Sequence, residues 1–437
     1  MMFRSCLRAV FTAGKISPDI SCITILMKIL QINNVHYRRG GADAVYLNTA
    51  ELLLQNGQEV IFFNTLKKDN IPCKDERYWV SSIESRAKGL KSTLLELRNF
   101  FYNPEAAKKI EILIKAEKPD IAHIHLFWGC GISPSITKVL KKYNIPLVQT
   151  VHDYRMICPI ALLMDREGHV CERCQGRFFY KAGIYHCSHH GRIRSIIMAA
   201  ETYYHNRFFY PTDVVNGFIF VSHFALNKHI QYMPKMKGAN TTVLYNFAPV
   251  DDVLSRDDTV AYFLFYGRLS HEKGIKTLIE VFKNNVHLKL KIVGTGPLEK
   301  DLRSQYNNYY NIEFLGYRSG ESLKSLVRNA MFVCVPSEWY ENNPMTIVEA
   351  YSMGTPVIGA RIGGIPEIVE DGTTGYQFES GNVGNLSQVI NYAASMNTDD
   401  YTVMRQNARM FYQEHFSPNN YYERLMDFYK HTIELYE

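Results

Sequence analysis

Long apolar segments are the first feature that this sequence lacks. No run reaches the roughly 18 to 20 apolar residues of a membrane-spanning helix, and the best stretch near the N-terminus, 20–27, is interrupted by Ser21 and Thr24 and ended by Lys28. Internal repeats and low-complexity tracts are also absent. Hydrophobic residues make up 46% of the chain and charged residues 21%, which excludes disordered, collagen-like and coiled-coil proteins and predicts a globular one.

Cysteine is scarce, with nine residues in a chain of 437 that has no clear secretion signal. This usage predicts a reducing compartment, in which thiols stay free or bind metal. Four of the cysteines are grouped around a tight Cys-x2-Cys pair, at Cys158, Cys171, Cys174 and Cys187. Four thiolates suit a closed structural zinc site. The alternatives are unrelated buried thiols or a redox pair.

The first 26 residues contain too weak an apolar stretch for a signal peptide. Met27 directly precedes a plausible first strand. We therefore expect translation to start at Met27, and the alternative is an N-terminal extension over residues 1–26.

Charge is distributed unevenly along the chain. The net charge is +6, but residues 27–250 carry +11 and residues 251–437 carry −7. A basic first half attracts anionic partners such as acidic lipid headgroups, phosphates or nucleic acid, and ordinary solvated lysines are the alternative. Segment 192–210 combines basic, apolar and aromatic residues, which suits either a helix on a membrane surface or a helix facing the core.

The length is about three times a typical domain of roughly 150 residues, which favours two large domains. Short β-rich runs alternate with amphipathic stretches from residue 27 onward and again after about residue 250, a pattern that indicates βαβ units and parallel sheets. The predicted strands are 29–35, 59–63, 119–125, 146–152 and 218–221, then 263–266, 288–293, 312–315, 332–335 and 356–358. The predicted helices include 42–56, 275–283, 320–329 and 344–353.

The sequence therefore predicts an α/β protein of two Rossmann-like, doubly wound parallel-sheet domains. The first spans 27–250, with a cysteine-rich insert at 158–190, and the second spans 251–415, with a polar linker at 246–258 between them. Ligands of such sheets bind beyond the carboxyl ends of the strands. Two facing domains thus predict an active-site cleft.

Segment 335–350 (VPSEWYENNPMTIVEA) is the richest in residues that can carry chemistry. Proline is well tolerated in a first helical turn, so a helix that begins near Pro344 would present the free N–H groups of Met345 and Thr346 as an anion site. Glu349, in the second turn, could accept hydrogen bonds from sugar hydroxyls, and Glu341 lies in the loop before the helix. Taken alone, the two carboxylates could equally be solvated surface groups.

Two cations, Arg268 and Lys273, lie between a strand and a helix in segment 266–274 (YGRLSHEKG). There they would neutralise a diphosphate and the charge that it gains on departure. Glycine-containing loops follow at 294–297 (GTGP), 314–317 (FLGY), 354–358 (GTPVI) and 363–369 (GGIPEIV).

Together, in this order and at these spacings, the segments closely resemble the donor domain of the family-4 retaining glycosyltransferases with the GT-B fold, over about residues 260–380. The first half is similar to the same family more loosely, through 38–43 (RRGGAD), 119–125 (PDIAHIH), 151–153 (VHD) and 220–222 (FVS). The resemblance also implies that residues 416–437 form final helices that cross back to the first domain.

The resemblance implies roles on the donor side. Glu349 would hold the ribose hydroxyls of a nucleotide-diphosphate sugar. Arg268 and Lys273 would bind the diphosphate, helped by the backbone N–H groups of Met345 and Thr346. No catalytic metal is expected, and the chain has no Asp-x-Asp motif, which the metal-dependent alternative fold usually supplies.

Further implied roles lie across the cleft and around the base. Gly41 would bring its backbone close to the phosphates, which the absence of a Cβ allows. Glu341 would contact hydroxyls of the transferred sugar. His152 would lie near the anomeric centre, the alternative being a polar residue at a strand end. Tyr317, which follows Gly316, would lie beside the base.

The chain departs from the family pattern at three points. Where the family often has Glu-Gly-Phe-Gly, Pro344 here has no N–H group, and the side chains of Asn342 or Asn343 would have to compensate for the missing donor. Asp43 stands where many members carry Glu. Asn246 is followed by phenylalanine instead of the common glycine, which puts a functional role for Asn246 in doubt.

These observations predict a retaining glycosyltransferase that moves a sugar to a glycan or a lipid-linked saccharide, in surface polysaccharide or lipopolysaccharide biosynthesis. We expect it in the cytoplasm, where its basic half could contact an anionic membrane, and we expect no nucleic-acid partner. One alternative is a nucleotide-sugar epimerase of the same fold, which needs no acceptor. Another is a non-catalytic protein that binds sugar nucleotides or nucleic acid.

Overall fold

The computed structural model describes residues 26–81, 90–126, 131–249 and 261–437. Within these ranges the chain forms two six-stranded parallel sheets flanked by helices, which confirms the predicted α/β architecture. Residues 1–25 of the expected N-terminal extension and residues 250–258 of the expected linker lie outside the described ranges.

The first sheet has the order β2-β1-β3-β4-β5-β6. Its strands are β1 (Lys28–Ile32), β2 (Glu59–Phe63), β3 (Ile121–Ile124), β4 (Leu147–Val151), β5 (Gly217–Phe220) and β6 (Thr241–Val243). Every residue of β3, β4 and β5 is buried. Burial on both faces is typical of parallel sheets, because their crossover helices cover both sides.

The helices of the first half are α1 (Gly41–Gln55), α2 (Leu90–Phe101), α3 (Pro104–Glu117), α4 (Ser135–Lys142), α5 (Lys181–Ile184), α6 (Arg192–Phe208), α7 (Pro211–Val214) and α8 (His223–Tyr232). Local sequence explains several of their boundaries. The side chain of Asn103 accepts hydrogen bonds from the first backbone N–H groups of α3, and Pro104 occupies its first position. Ser222 caps α8 in the same way.

The second sheet has the order β12-β11-β10-β7-β8-β9. Its strands are β7 (Phe263–Tyr266), β8 (Leu290–Val293), β9 (Ile312–Gly316), β10 (Phe332–Val335), β11 (Val357–Ala360) and β12 (Gly375–Phe378). The strand order reverses between β7 and β10, and in the first sheet between β1 and β3. These reversals open crevices at the carboxyl ends of the strands, where ligands of this architecture bind.

The helices of the second half are α9 (Ile275–Asn284), α10 (Glu299–Tyr306), α11 (Gly320–Asn329), α12 (Met345–Ser352), α13 (Ile365–Ile368), α14 (Val383–Ala394), α15 (Thr398–Phe411) and α16 (Pro418–Tyr436). Among the helices of the described ranges, none combines the length and the apolar character needed to cross a membrane.

Helix α16 returns to the first domain. The Tyr421 hydroxyl lies 3.0 Å from Thr49 Oγ1 in α1, and Tyr429 in α16 contacts a histidine of β3. Apolar side chains of α16 also join the core that packs against the first sheet, where the Tyr421 ring lies beside that of Phe247. The C-terminal segment therefore crosses back, as the resemblance implied, although it does so as one helix after a short π-helical turn.

Two strands were not expected from the sequence. β6 and β12 are three and four residues long and lie at sheet edges. β12 follows Gly372 and two threonines, so turn-forming residues mask its β pattern. β1 also ends at Ile32, earlier than predicted, because Asn33 turns its side chain to Asp43 and to the carbonyl of Val35.

Candidate active site

Loops at the carboxyl ends of both sheets meet at one cleft. The loops after β1 and β4 supply Gly41 and His152, and the loops after β7 and β10 supply Arg268 and Glu341. These side chains and backbones line a cavity of about 630 Å³, here called the inner cavity, to which both domains contribute. The structure thus brings together predicted residues that are up to 300 positions apart in sequence.

A second cavity, here called the outer cavity, adjoins the first. It has a volume of about 940 Å³ and is lined by Tyr317, Glu349 and the glycine loop 294–297. Arg39, Arg268 and Met345 line both cavities, so the two spaces meet at these residues. An elongated ligand could occupy both cavities, with its middle beside Arg268.

The inner cavity is lined by an ion pair between a half-buried lysine and a buried carboxylate. Lys273 Nζ lies 2.6 Å from Glu341 Oε1, and Ser337 Oγ donates to the same oxygen at 2.8 Å. Burial alone would raise the pKa of Glu341, but the charge of Lys273 and the hydrogen bonds hold that pKa below its usual value. Glu341 is therefore an ionised acceptor with an ammonium group beside it, a contact that the sequence did not predict.

The loop of Glu341 is supported by two glycines. The Gly364 N–H donates to the Glu341 carbonyl at 2.7 Å. A Cβ on Gly363 would lie 2.2 Å from the Glu341 carbonyl oxygen, and a Cβ on Gly364 would lie 2.0 Å from that of Asn342. Only glycine fits at such separations, so the motif 363–369 supports the loop through backbone contact.

Helix α12 begins at Met345, one residue after the predicted start at Pro344. Met345 and Thr346 line the inner cavity. The first N–H groups of a helix carry partial positive charge and have no partner within the helix, so this end of α12 is suited to an anion. The Tyr266 hydroxyl donates to the Thr346 carbonyl at 2.8 Å and so ties α12 to the end of β7.

Two asparagines, Asn342 and Asn343, precede Pro344 in the same loop, and Pro344 itself has no N–H group. Asn343 is 6% exposed and lines the inner cavity, and its Nδ2 has no hydrogen-bond partner among the described residues. Its Oδ1 accepts from the Asn246 N–H at 2.9 Å, and Asn246 Nδ2 donates to the Asn343 carbonyl. Asn246, whose role was in doubt, therefore orients the side chain of Asn343. Asn342 Nδ2 donates to the His152 carbonyl at 2.8 Å, across the domains.

His152 lies at the first-domain wall of the inner cavity. Its Nε2 is 3.0 Å from His125 Nδ1. Burial lowers the pKa of His152 to about 3, so the ring is neutral at neutral pH. A neutral imidazole can donate a hydrogen bond to a hydroxyl group or accept one from it, but it supplies no positive charge to a phosphate.

The outer cavity contains the other predicted residues. Glu349 is half-buried. The pKa of Tyr266 is raised, chiefly because Tyr266 is itself buried and secondly because the charge of Glu349 is near. Tyr317 is 70% exposed at the rim. Gly316 lies behind it and accepts a hydrogen bond from the Gly294 N–H at 2.9 Å. Gly316 therefore shapes the loop, while Tyr317 presents its ring to the cavity.

Arg39 is a site residue that the sequence reasoning missed. It lines both cavities, and its Nε lies 3.5 Å from Asp43 Oδ2. It directly precedes Gly40 and Gly41, so its place in a glycine-rich loop was the available signal. A Cβ on Gly41 would be 3.9 Å from Met345 Cγ, which shows that the starts of α1 and α12 face each other.

Glu367 joins the two domains beside the cleft. Its carboxylate, on α13, accepts hydrogen bonds from the backbone N–H groups of His223 and Phe224, the first residues of α8. The Tyr245 hydroxyl also donates to it at 3.3 Å. A carboxylate at a helix N-terminus is favourable, so this contact stabilises the closed arrangement of the domains.

The four cysteines of the predicted zinc site lie near one another in the structure. Within the described ranges, which include all four thiols, no group of three or more His, Cys, Asp or Glu side chains is placed to hold a metal ion. Cys158 packs in the core of the first domain, whereas Cys187 belongs to a small apolar cluster with Ala182 and Ala199. Burial, followed by the neighbouring thiols, raises the pKa of Cys187 to about 11 and raises that of Cys174 as well. The thiols are therefore neighbours, of which Cys158, Cys174 and Cys187 are buried and Cys171 is half-buried, and the zinc site stays a prediction.

Two protein-family models match the chain in succession. Residues 39–252 match Glycosyltransferase Family 4, and residues 249–411 match Glycosyl transferases group 1. Together they cover every strand of the two sheets except β1, and every residue that lines the two cavities apart from Arg38, which precedes the first match.

Individual proteins show the same relationship. An uncharacterized glycosyltransferase of Methanocaldococcus jannaschii is 27% identical over 68% of this chain and 72% of its own length. An uncharacterized protein from the cps region of Klebsiella pneumoniae is 26% identical over 78% of this chain and 87% of its own length. The structure of Anabaena HepE in complex with UDP and glucose superposes with a TM-score of 0.62 at 18% identity, covering 92% of this chain and 98% of that one. The chain therefore belongs to the group 1, family 4 glycosyltransferases and has their GT-B fold.

Proposed function

We propose that this glycosyltransferase moves a sugar from a nucleotide-diphosphate sugar to a glycan or lipid-linked saccharide, with retention of the anomeric configuration. The observation that carries the proposal is the position of Lys273, Glu341 and the N-terminus of α12 in one cavity, with Arg268 at its junction with the next. Cationic groups that can bind a diphosphate, Arg268 and Lys273, are therefore close to Glu341, which can accept hydrogen bonds from sugar hydroxyls.

The two cavities suit the two ends of such a donor. The outer cavity would hold the nucleoside, with Glu349 accepting from the ribose hydroxyls and Tyr317 beside the base. The inner cavity would hold the sugar, whose hydroxyls meet Glu341 and His152. The diphosphate would then lie at the junction, where Arg268 is exposed and unpaired among the described residues.

The chemistry follows from where charge develops. The bond between the anomeric carbon and the β-phosphate oxygen breaks, the acceptor hydroxyl oxygen bonds to the anomeric carbon on the same face of the sugar, and the hydroxyl proton passes to the departing phosphate oxygen. The departing diphosphate gains negative charge, which Arg268, Lys273 and the N–H groups at the start of α12 stabilise in a partly enclosed site. Asn343 Nδ2 adds a donor where Pro344 has none.

The donor can be identified by thermal shift with a panel of nucleoside diphosphates and nucleotide sugars. A ligand that binds only the folded state raises the melting temperature. We expect one nucleotide family to give a selective shift, and incubation of its sugars with acceptors should then yield a glycosylated product. A new sugar nucleotide formed without acceptor would instead indicate an epimerase. Salt-sensitive retention on a nucleic-acid column would indicate a nucleic-acid binder.

Replacing Glu349 with glutamine should weaken binding of the nucleoside diphosphate by about tenfold to a hundredfold, because hydrogen bonds to a charged acceptor contribute about 1.5–3 kcal/mol. Titration calorimetry with the nucleotide selected by thermal shift measures the effect. Glu313→Gln is the matched control, since Glu313 is exposed on β9 and lines neither cavity. Unchanged affinity of Glu349→Gln would contradict the placement of the ribose.

A membrane-bound acceptor is supported by one surface of the first domain, here called the aromatic-cationic surface. Eight large apolar side chains between residues 178 and 208 are more than a third exposed: Phe178, Tyr180, Ile184, Tyr185, Ile193, Ile196, Tyr203 and Phe208. Six cations lie among them, at Arg173, Arg177, Lys181, Arg192, Arg194 and Arg207. Within residues 173–208, all of which are described, Glu201 is the one carboxylate, and it is buried in an ion pair with Arg155.

Apolar side chains surrounded by cations without exposed carboxylates suit the interface of an anionic bilayer. The same insert reaches the cleft, because the Tyr340 hydroxyl donates to Glu172 at 2.8 Å, and Ala161 and Leu162 line the inner cavity. A bilayer on this surface would therefore present a lipid-linked acceptor near the cleft. This extends one expectation for segment 192–210, since α6 buries one face and exposes the other.

Vesicle flotation tests this contact. The protein should bind phosphatidylglycerol vesicles and not neutral phosphatidylcholine vesicles, and Arg192→Ser with Arg207→Ser should lower the bound fraction at least tenfold, at about 1 kcal/mol per cation. Tyr310→Ser is the control, because Tyr310 is 84% exposed on the second domain. Equal binding to both vesicle types, or an equal loss in the control, would contradict the membrane contact.

A further inference from the structure

A buried chain of hydrogen bonds runs from His152 to the C-terminal helix. His152 Nε2 lies 3.0 Å from His125 Nδ1, and His125 Nε2 lies 3.1 Å from Gln31 Oε1. Gln31 Nε2 in turn lies 3.5 Å from the Tyr429 hydroxyl, which is 2.6 Å from His123 Nδ1. Gln31, His123 and Tyr429 are 0% exposed and His125 is 2% exposed, so water does not compete for these bonds.

The chemical identity of each atom gives the chain a direction. The Oε1 atom of Gln31 can only accept a hydrogen bond, so His125 Nε2 must carry the hydrogen. Burial, followed by the neighbouring imidazoles, holds the pKa of His125 well below its usual value, so the ring is neutral and its Nδ1 carries no hydrogen. His125 Nδ1 therefore accepts, and His152 Nε2 must donate to it.

The far end of the chain agrees with this direction. With Oε1 turned to His125, Gln31 Nε2 donates to the Tyr429 hydroxyl, and that hydroxyl donates its own hydrogen to His123 Nδ1 at 2.6 Å. His123 Nδ1 then accepts, so its Nε2 donates to Thr150 Oγ1 at 2.7 Å. Each hydrogen bond between these residues then joins a donor to an acceptor. Gln31 is thus held in one orientation by His123 and His125, at the end of β3, and by Tyr429 of α16.

We propose that Gln31 and His125 are positioning residues that hold His152 as the Nε2–H tautomer, leaving its Nδ1 as a hydrogen-bond acceptor. His152 lines the inner cavity, and its Nε2 is already used by His125, so Nδ1 is the ring nitrogen that it can offer to a ligand. In the substrate arm, which rests on the proposed function, a free hydroxyl of the transferred sugar donates to this nitrogen. The site would then favour sugars with a hydroxyl at that carbon over the deoxy analogues.

The tautomer can be measured without any substrate. Long-range proton–nitrogen spectra of the full-length protein, labelled with nitrogen-15 histidine, distinguish a ring nitrogen that carries hydrogen from one that does not. The His152 signals are assigned by their loss in His152→Gln. We expect hydrogen on Nε2 in the wild type and a mixture of tautomers in His125→Leu. Hydrogen on Nδ1 in the wild type, or an unchanged tautomer in His125→Leu, would overturn the proposal.

A conservative variant separates positioning from simple packing. In His125→Asn the Oδ1 atom can occupy the place of Nδ1 and accept from His152, so the Nε2–H tautomer should be retained. Loss of the tautomer in both variants would overturn the proposal. If His125→Leu does not fold, Gln31→Met removes the acceptor of the His125 Nε2–H at similar volume, and it should also give mixed tautomers.

Kinetics with the identified donor provide the second arm. We expect His125→Leu to lower kcat/KM about tenfold, the effect of one hydrogen bond, with the affinity for the nucleoside diphosphate unchanged. His125→Asn should recover most of this loss. A donor lacking the sugar hydroxyl should react equally well with the wild type and His125→Leu. Absence of any glycosyl transfer would contradict the proposed function alone, because the tautomer measurement would still decide the positioning role.

Discussion

Replacing Lys273 with methionine should lower kcat/KM for glycosyl transfer by about a thousandfold. Removal of one preorganised donor to developing charge costs about 10² to 10³ in rate, and here the substitution also leaves the buried carboxylate of Glu341 without its counter-ion. Steady-state kinetics with the donor identified by thermal shift measures the loss.

The control for this prediction lies on the following helix. Lys276 in α9 is exposed and lines neither cavity, so Lys276→Met should leave kcat/KM within about twofold of the wild type. A second comparison, Lys273→Met with Glu341→Gln, removes the unpaired buried charge and should restore stability without restoring activity. A loss below tenfold in Lys273→Met would show that Lys273 does not bind the leaving diphosphate.

Gly274→Ala should destabilise the fold by about 3 kcal/mol or more, the largest effect on stability that we expect from a single methyl group. Gly274 has a φ of +65°, and a Cβ there would lie 1.7 Å from the Pro336 carbonyl oxygen at the end of β10. Because that oxygen belongs to the backbone of a central strand end, relief requires movement of the loop that supports Lys273. Urea unfolding at equilibrium measures the difference.

Gly372→Ala separates the steric clash from the cost of the backbone conformation. Gly372 has a φ of +77°, but no atom lies within 4 Å of the position that a Cβ would take there. Its substitution should therefore cost only about 1–2 kcal/mol, which is the strain of a left-handed conformation for a residue with a side chain. Similar losses in the two variants would mean that the loop before α9 moves easily and that its close contact with β10 is not required.

Local sequence patterns were sufficient for much of the fold. β2, β7, β10 and α11 begin and end where the alternation of apolar runs and amphipathic stretches predicts. Buried parallel strands leave a strong local signal, since they are continuous apolar runs between turn residues. β6 and β12 lack this signal because short edge strands are fixed by pairing with a neighbour instead of by their own composition.

The candidate site was predictable where one motif carries the chemistry. Arg268 and Lys273 follow β7, and Glu341 and Glu349 flank the start of α12, so the resemblance of these motifs to the family identifies them as candidates. The partners of these groups were not predictable. Glu341 contacts Lys273 across 68 residues of sequence, and His152 contacts His125 across 27, because each pair meets only when different strands of a sheet end side by side.

The surroundings of the four grouped cysteines also could not be predicted from the sequence. Their symmetric spacing predicts a common zinc site, but spacing reports only distance along the chain. In the structure, Cys158 belongs to the main core of the first domain and Cys187 to the small cluster beneath α6. The packing of the insert determines the apolar cluster in which each thiol lies. The spacing of the cysteines along the chain does not predict that packing.

The sequence by itself determined the two parallel-sheet domains, the family, and the cations and carboxylates at the ends of the second-domain strands, because periodicity and motifs are local properties of the chain. Only the tertiary structure decided that Lys273 neutralises Glu341, that Asn246 orients Asn343 beside Pro344, and that Gln31 and His125 form a hydrogen-bonded chain with His152. These contacts join residues from different strands and domains. Their formation depends on burial and three-dimensional distance, which no local pattern encodes.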